Sequence, residues 1–131
     1  MQDRPDAVNL LETIQDLLIK DIMPAVKEND FLSYRALVSW NMLGVVAREF
    51  KLGEKYLNLE LERLSKYLGE EKPNISLTYL EKMKLGEQLN KNLVEKIRKE
   101  KSDDTNKEVW ELVKQSLKEK LEITNPRFSL D

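Results

Sequence analysis

FLSYRALVSWNMLGVVAREF, Phe31 to Phe50, is the stretch whose reading decides the fold. Its apolar residues are Phe31, Tyr34, Leu37, Val38, Trp40, Met42, Leu43, Val45, Val46 and Phe50, and they fall on nearly every side of a 3.6-residue helix. A helix that is apolar all round is normally the central, buried one, so this segment is expected at the core of a helical domain. Ala36, Ser39, Gly44 and Ala47 are small and let neighbours approach closely. Leu52-Gly53 reads as its C-terminal stop.

Toward the N-terminus, a helix is expected from about Ala7 to Glu28, with Asp6 as N-cap after Pro5. Leu11, Ile14, Leu18, Ile22 and Ala25 recur at helical spacing along it. Pro24 lies inside that pattern. It removes one backbone hydrogen bond and is expected to kink or split the helix near Lys20 to Met23. Asn29-Asp30 then reads as a turn.

Toward the C-terminus, Glu54 to Leu68 carries Tyr56, Leu57, Leu61, Leu64 and Leu68 on one side and ends at Gly69. Glu70 to Ile75, with Pro73-Asn74, is a loop. Thr78 and Glu81 form a capping box that opens a helix over about Tyr79 to Lys99, with Leu89, Leu93 and Ile97 in its stripe. Thr105 and Glu108 read as a second box, opening a helix over about Asn106 to Glu122 whose stripe is Val109, Trp110, Val113, Leu117 and Leu121. Trp40 and Trp110 are both expected as core anchors. The tail leaves the helix at Asn125-Pro126. No strand pattern competes. The expected fold is all-α, a single-domain antiparallel bundle of four to five helices over residues 1–131.

Composition agrees and excludes several chemistries. Of 131 residues, 40% are hydrophobic and 35% charged, which fits one soluble helical domain that folds without metal or disulfide. Lys plus Arg number 22 against 24 Asp plus Glu, so no global basic field exists for nucleic acid or anionic lipid. Cysteine is absent, which removes disulfides, thiolate nucleophiles and thiolate metal sites. Histidine is absent too, which removes histidine bases, histidine triads and histidine-ligated metals. Charge begins at Asp3, so no secretory leader is expected. The longest apolar run, Met42 to Ala47, is too short to span a bilayer, and the expected location is the cytoplasm. Charge is uneven: residues 1–30 hold 3 basic and 7 acidic side chains, and residues 81–101 hold 7 basic and 4 acidic. These are solvated helix faces, or one of them meets an oppositely charged neighbour.

Few residues carry chemistry. Glu108 with Glu111, and Glu12 with Asp16, have the one-turn spacing with which facing helices share magnesium in helical nucleotide pyrophosphatases. In both helices the apolar stripe lies elsewhere, so these carboxylates are expected to face water. No metal site and no cofactor is read from them. Asn41 sits in the most apolar helix, where a buried amide must find partners. Arg48 follows two turns later on the same face, with Glu49 next to it. These residues either satisfy a neighbouring segment or line a small polar pocket.

Several segments, in order along the chain, resemble an uncharacterised bacterial family of small helical proteins. They are Met1 to Asp6 (MQDRPD) with Leu10-Leu11, then Asn41, Leu43, Val46, Arg48 and Glu49, then Leu89, Asn90, Leu93, Ile97 and Arg98. The close, Leu121, Ile123 and Asn125 to Ser129, matches the family's N-P-R-aromatic-S ending. The family is a domain of unknown function. Its members often stand beside phosphotransferase-like and acyl-CoA dehydrogenase proteins. Members typically carry a histidine and an arginine shortly before the Asn of the second helix; here Arg35 is present and the histidine is not. The resemblance implies a non-enzymatic accessory protein acting with a partner of one of those two kinds. No nucleic-acid or membrane partner is implied.

Two readings compete with that one. A small-molecule-binding or catalytic domain would be built around Asn41 and Arg48, and a homo-oligomer would pack helices across a twofold axis. A binding domain is expected to show a polar-lined cavity, and an adaptor a filled core with an exposed apolar patch. The candidate binding residues are Asp3, Arg35, Asn41, Arg48, Glu49, Asn125, Arg127 and Phe128. In this scheme Phe128 fills an apolar notch and Arg127 pairs with Asp3, Asp6 or Glu49, so that both chain ends dock near Asn41 and Arg48.

Overall fold

The computed structural model describes residues 4–74, 76–102 and 105–128. Among them every regular element is helical: α1 Ala7–Leu17, α2 Met23–Ala25, α3 Asp30–Arg48, α4 Glu54–Leu68, α5 Tyr79–Glu100 and α6 Lys107–Thr124. Two wide π-helical turns, Leu18–Ile22 and Glu49–Gly53, interrupt the first half of the chain. The helices gather into two compact units, Met1–Gly53 and Glu54–Asp131.

In the first unit Asp6 caps α1: its side chain accepts from the Asn9 amide at 2.8 Å, and Asn9 Oδ1 accepts from the Asp6 amide at 3.3 Å. The expected disruption before Pro24 takes the form of the π turn at Leu18–Ile22. Pro24 has no N–H for the carbonyl one turn back, and the wider turn accommodates the loss. Asn29 caps α3 through the Leu32 amide at 3.0 Å. Leu52-Gly53 does not stop the chain's helical path, because the backbone past Arg48 widens into the second π turn instead.

α1 packs along α3. Gln15 Nε2 donates to the Trp40 carbonyl at 2.9 Å. Gly44 makes room for this crossing, since a Cβ there would stand 2.9 Å from Gln15 Nε2 and 3.2 Å from Arg48 Nη1. The burial of α3 departs from expectation. Only Ala36, Gly44 and Ala47 are buried, while Phe31, Tyr34 and Met42 are 66%, 65% and 62% exposed. The small residues mark the one side on which α1 and its π turn lie. Among the described residues the unit holds no further helix against the other side.

The second unit has a filled core of Leu61 and Leu64 from α4, Leu89 and Leu93 from α5, and Leu112 from α6. Leu57, Leu68, Leu85 and Ile97 pack around it. α4 has the bounds its periodicity predicts. Gly69, at φ +73°, closes it: the Glu70 amide reaches the Ser65 carbonyl at 2.9 Å and the Gly69 amide the Lys66 carbonyl at 3.4 Å. The Thr78–Glu81 capping box forms, with the Thr78 amide donating to Glu81 Oε2 at 2.8 Å. The Thr105–Glu108 box does not form. Asn106 caps α6, accepting from the Glu108 and Val109 amides at 3.0 and 3.3 Å.

Candidate functional site

The side of α6 turned inward is not its apolar stripe. Val109, Leu112, Ser116, Glu119 and Ile123 are buried, whereas Trp110 is 63% exposed and Val113 and Leu117 are exposed with it. The cause lies on α4. Its residues Tyr56, Glu60 and Arg63 recur at i, i+4 and i+7 and meet α6 as a polar ladder. The Tyr56 hydroxyl donates to Glu122 Oε2. That bond, with burial and the nearby Glu122 and Glu119 charges behind it, holds the phenol above its ordinary titration range. Lys120 Nζ lies 3.3 Å from Glu60 Oε1. Arg63 forks onto Glu119 at 2.9 and 2.5 Å and also donates to Ser116 Oγ at 3.3 Å. Gln115 Nε2 completes the Glu119 shell at 2.9 Å. Charge-assisted, two-pronged bonds of this kind outrank the apolar stripe in setting the rotation of α6.

The consequence is an outward ridge, Trp110, Val113 and Leu117, at i, i+3 and i+7 along one helix. Lys107 and Lys114 lie one turn either side of Trp110 along its edge, and Lys118 continues that edge. Trp110 is therefore not a core anchor. Large apolar side chains exposed in a row, with charged residues along one edge, are the surface chemistry of a protein–protein contact.

Between α4 and α5 runs an open groove of about 630 Å³, with Leu57, Met83, Gly86 and Val94 among its walls. Its buried polar groups already have partners. Asn90 Nδ2 donates to the Gly86 carbonyl at 2.9 Å and approaches Glu60 Oε1 at 3.4 Å, and Glu60 also meets Lys120. No orphaned polar atom of Asn90 or Glu60 points to a small-molecule ligand there.

The residues singled out in the sequence fall in two places. Arg35, Asn41, Arg48 and Glu49 belong to α3 and its end. Asn41 is exposed, and its Nδ2 donates to the Leu37 carbonyl of its own helix at 3.2 Å, so it is not the buried amide expected. Arg35 is exposed and stands 5.5 Å from the Phe31 ring centroid. Arg48 is half-buried and Glu49 exposed. Asn125 ends α6, its amide donating to the Leu121 carbonyl at 2.8 Å and its own carbonyl accepting from the Phe128 amide at 3.0 Å. Arg127 is exposed, and Phe128 is more than half exposed rather than filling a notch. Asp3 lies outside the described residues. Of the carboxylate pairs, Glu12 is held by Lys51 at 2.7 Å and Asp16 by Lys20 at 2.6 Å, while Glu108 and Glu111 face water. Among the described residues no helix is long and apolar enough to cross a membrane, and no group of three or more metal-ligating side chains occurs. The ridge on α6 escaped sequence reading because its residues looked like core. The signal for it was the Arg63–Glu119 pairing, which spacing alone does not reveal.

A family model described as a domain of unknown function (DUF6285) matches residues 25–128. The match takes in the segments around Asn41, Leu89 and Asn125 that carried the resemblance, and begins after Met1 to Asp6. No curated protein and no solved structure matches the chain.

Proposed function

We propose, from the premise that the chain belongs to the DUF6285 family, that it is a non-enzymatic helical accessory domain that docks a protein partner on the ridge of α6. The observation that carries this reading is Trp110, 63% exposed at the head of a row it forms with Val113 and Leu117 on a helix whose other face is locked inward by Arg63 and Glu119. Tryptophan is among the side chains that dominate binding energy where interfaces have been dissected. The lysines at its edge call for a partner whose facing rim is acidic. A phosphotransferase-like or acyl-CoA-metabolising protein is the partner class in this reading, by the family's resemblance alone. A pocket around Asn41 and Arg48 is the weaker alternative, because Asn41 spends its amide on its own helix.

The test is co-purification of the full chain from its native host, with mass spectrometry of what it retains, alongside a Trp110→Glu variant of unchanged helix content. The natural chain is expected to retain a partner of one of the two classes. Trp110→Glu is expected to lower that retention by about thirtyfold, the equivalent of a hot-spot loss of about 2 kcal/mol. Equal retention by both chains overturns the reading.

A further inference from the structure

The α6 ridge also dictates what kind of segment can sit on it, an inference that rests on the docking reading above. Trp110, Val113 and Leu117 follow one another at three and then four residues, the spacing that a second helix meets when it packs with its axis within about 20°. An extended segment instead gains its hold from main-chain hydrogen bonds to a strand edge. α6 spends its main-chain groups inside its own helix, and no strand occurs among the described residues. Lys107 and Lys114 lie seven residues apart, about 10.5 Å along the axis, so they share one edge of the ridge. Neither stands in an ion pair among the described residues, whereas Lys118 already has an interaction of its own. The opposite edge is Val109 and Ser116, also seven apart, and both are buried.

That one-sided charge decides between a second copy and a different protein. When two identical helices pair antiparallel about a twofold axis, each edge faces its own copy, so the lysine edge meets a lysine edge. When they pair in parallel, opposite edges meet, and the lysines face buried Val109 and Ser116. Either arrangement leaves Lys107 and Lys114 without an acidic neighbour. We infer that the occupant of the ridge is an amphipathic helix of a different protein. Its apolar residues recur at three- and four-residue spacing, and a carboxylate stands at every seventh residue along the edge that faces Lys107 and Lys114.

The tests use the full chain. In a Trp40→Phe background Trp110 is the sole tryptophan, and acrylamide is expected to quench it nearly as well as free tryptophan. Fluorescence anisotropy then compares two labelled synthetic helices of three heptads, each with leucine at its two core positions. One carries glutamate and the other lysine at both flanking positions, so that neither pairs with itself. The glutamate helix is expected to bind about tenfold tighter or more, with an advantage that shrinks at high salt. Lys107→Glu combined with Lys114→Glu is expected to reverse that order, and far-ultraviolet circular dichroism checks that this variant keeps its helix content. A shielded Trp110 overturns the proposal, and sedimentation at twice the 15.4 kDa chain mass then names a second copy as the occupant. Equal binding of the two synthetic helices also overturns it, as does no binding at about 1 mM. The docking reading fails separately, through partner retention that is indifferent to Trp110→Glu. Where that retention drops but the two helices bind alike, the docking reading stands and the acidic helix alone falls.

Discussion

Replacing Arg63 by Met isolates what holds α6 in its observed rotation. The guanidinium supplies three of the hydrogen bonds across the α4–α6 contact, two to Glu119 and one to Ser116. The Glu119 side chain is 7% exposed and Arg63 25%. Met fills much of the same volume, so the packing loss is small. What remains is a buried carboxylate with Gln115 as its single neutral donor. Removing one partner of a buried pair costs about 3–5 kcal/mol, and the partial exposure of Arg63 places this pair at the lower end, about 3 kcal/mol. With a urea slope of about 2 kcal/mol/M, the unfolding midpoint falls by about 1.5 M. Urea titration followed by circular dichroism reads this directly, and the slope is expected to stay constant. Adding Glu119→Leu removes the stranded charge and is expected to bring stability back to within about 1 kcal/mol of the natural chain. A loss below about 1 kcal/mol for Arg63→Met, or a double variant no more stable than the single one, refutes the argument that a desolvated ion pair sets the α6 face.

Three further outcomes test local features. A Cβ at Gly86 meets Leu57 Cδ1 at 3.5 Å and Leu61 Cδ2 at 3.6 Å, ordinary contacts, so Gly86→Ala should raise stability by about 0.5–1 kcal/mol in the same titration. Asn106→Ala removes the observed cap of α6 and is expected to cost about 1 kcal/mol, whereas Thr105→Ala should leave the midpoint nearly unchanged; the reverse order would restore the Thr105 box. The Thr78 hydroxyl, then its amide, hydrogen-bond the Glu81 carboxylate and hold its pKa below the ordinary glutamate value. A carboxyl depressed in the folded state stabilises it above the unfolded value and loses that contribution as pH falls through the folded one. The cap of α5 should therefore weaken on acidification, and an NMR titration of Thr78→Ala should show Glu81 moving back up toward its ordinary value.

Helix positions were readable because they rest on local signals. Leu57, Leu61, Leu64 and Leu68 repeat at 3.6, Gly69 takes the left-handed conformation that few other residues accept, and Thr78 and Glu81 bond each other across three residues. The matched family model is in line with the resemblance carried by Asn41, Leu89 and Asn125. Rotation was less readable. The stripe Trp110, Val113 and Leu117 has the stronger apolar signal, yet Glu119 and Ser116 turn inward, because their partner Arg63 lies 56 residues away in sequence. The exposure of Phe31, Tyr34 and Met42 has a similar origin. Their spacing fixes an apolar helix, but how many neighbours cover it depends on how the rest of the chain is shared between units. Asn41 was misjudged for the same reason: its polarity suits the bare side of α3, where it bonds back to Leu37.

The two π turns bear on how the first unit tolerates changes in length. A π turn holds about one residue more than the α-helical turn it replaces. Leu18–Ile22 and Glu49–Gly53 are thus places where the helical path already carries a surplus residue. Deleting one residue from either turn lets the backbone relax to regular α-helix instead of opening a gap, and because the wide turn already absorbs the surplus residue, the helical path beyond keeps nearly its phase. The same deletion inside a regular stretch of α1 or α3 turns everything beyond it by about 100°. Leu18–Ile22 and Glu49–Gly53 are thus sites where the loss of a residue is absorbed, and the α-helical stretches between them sites where it redirects.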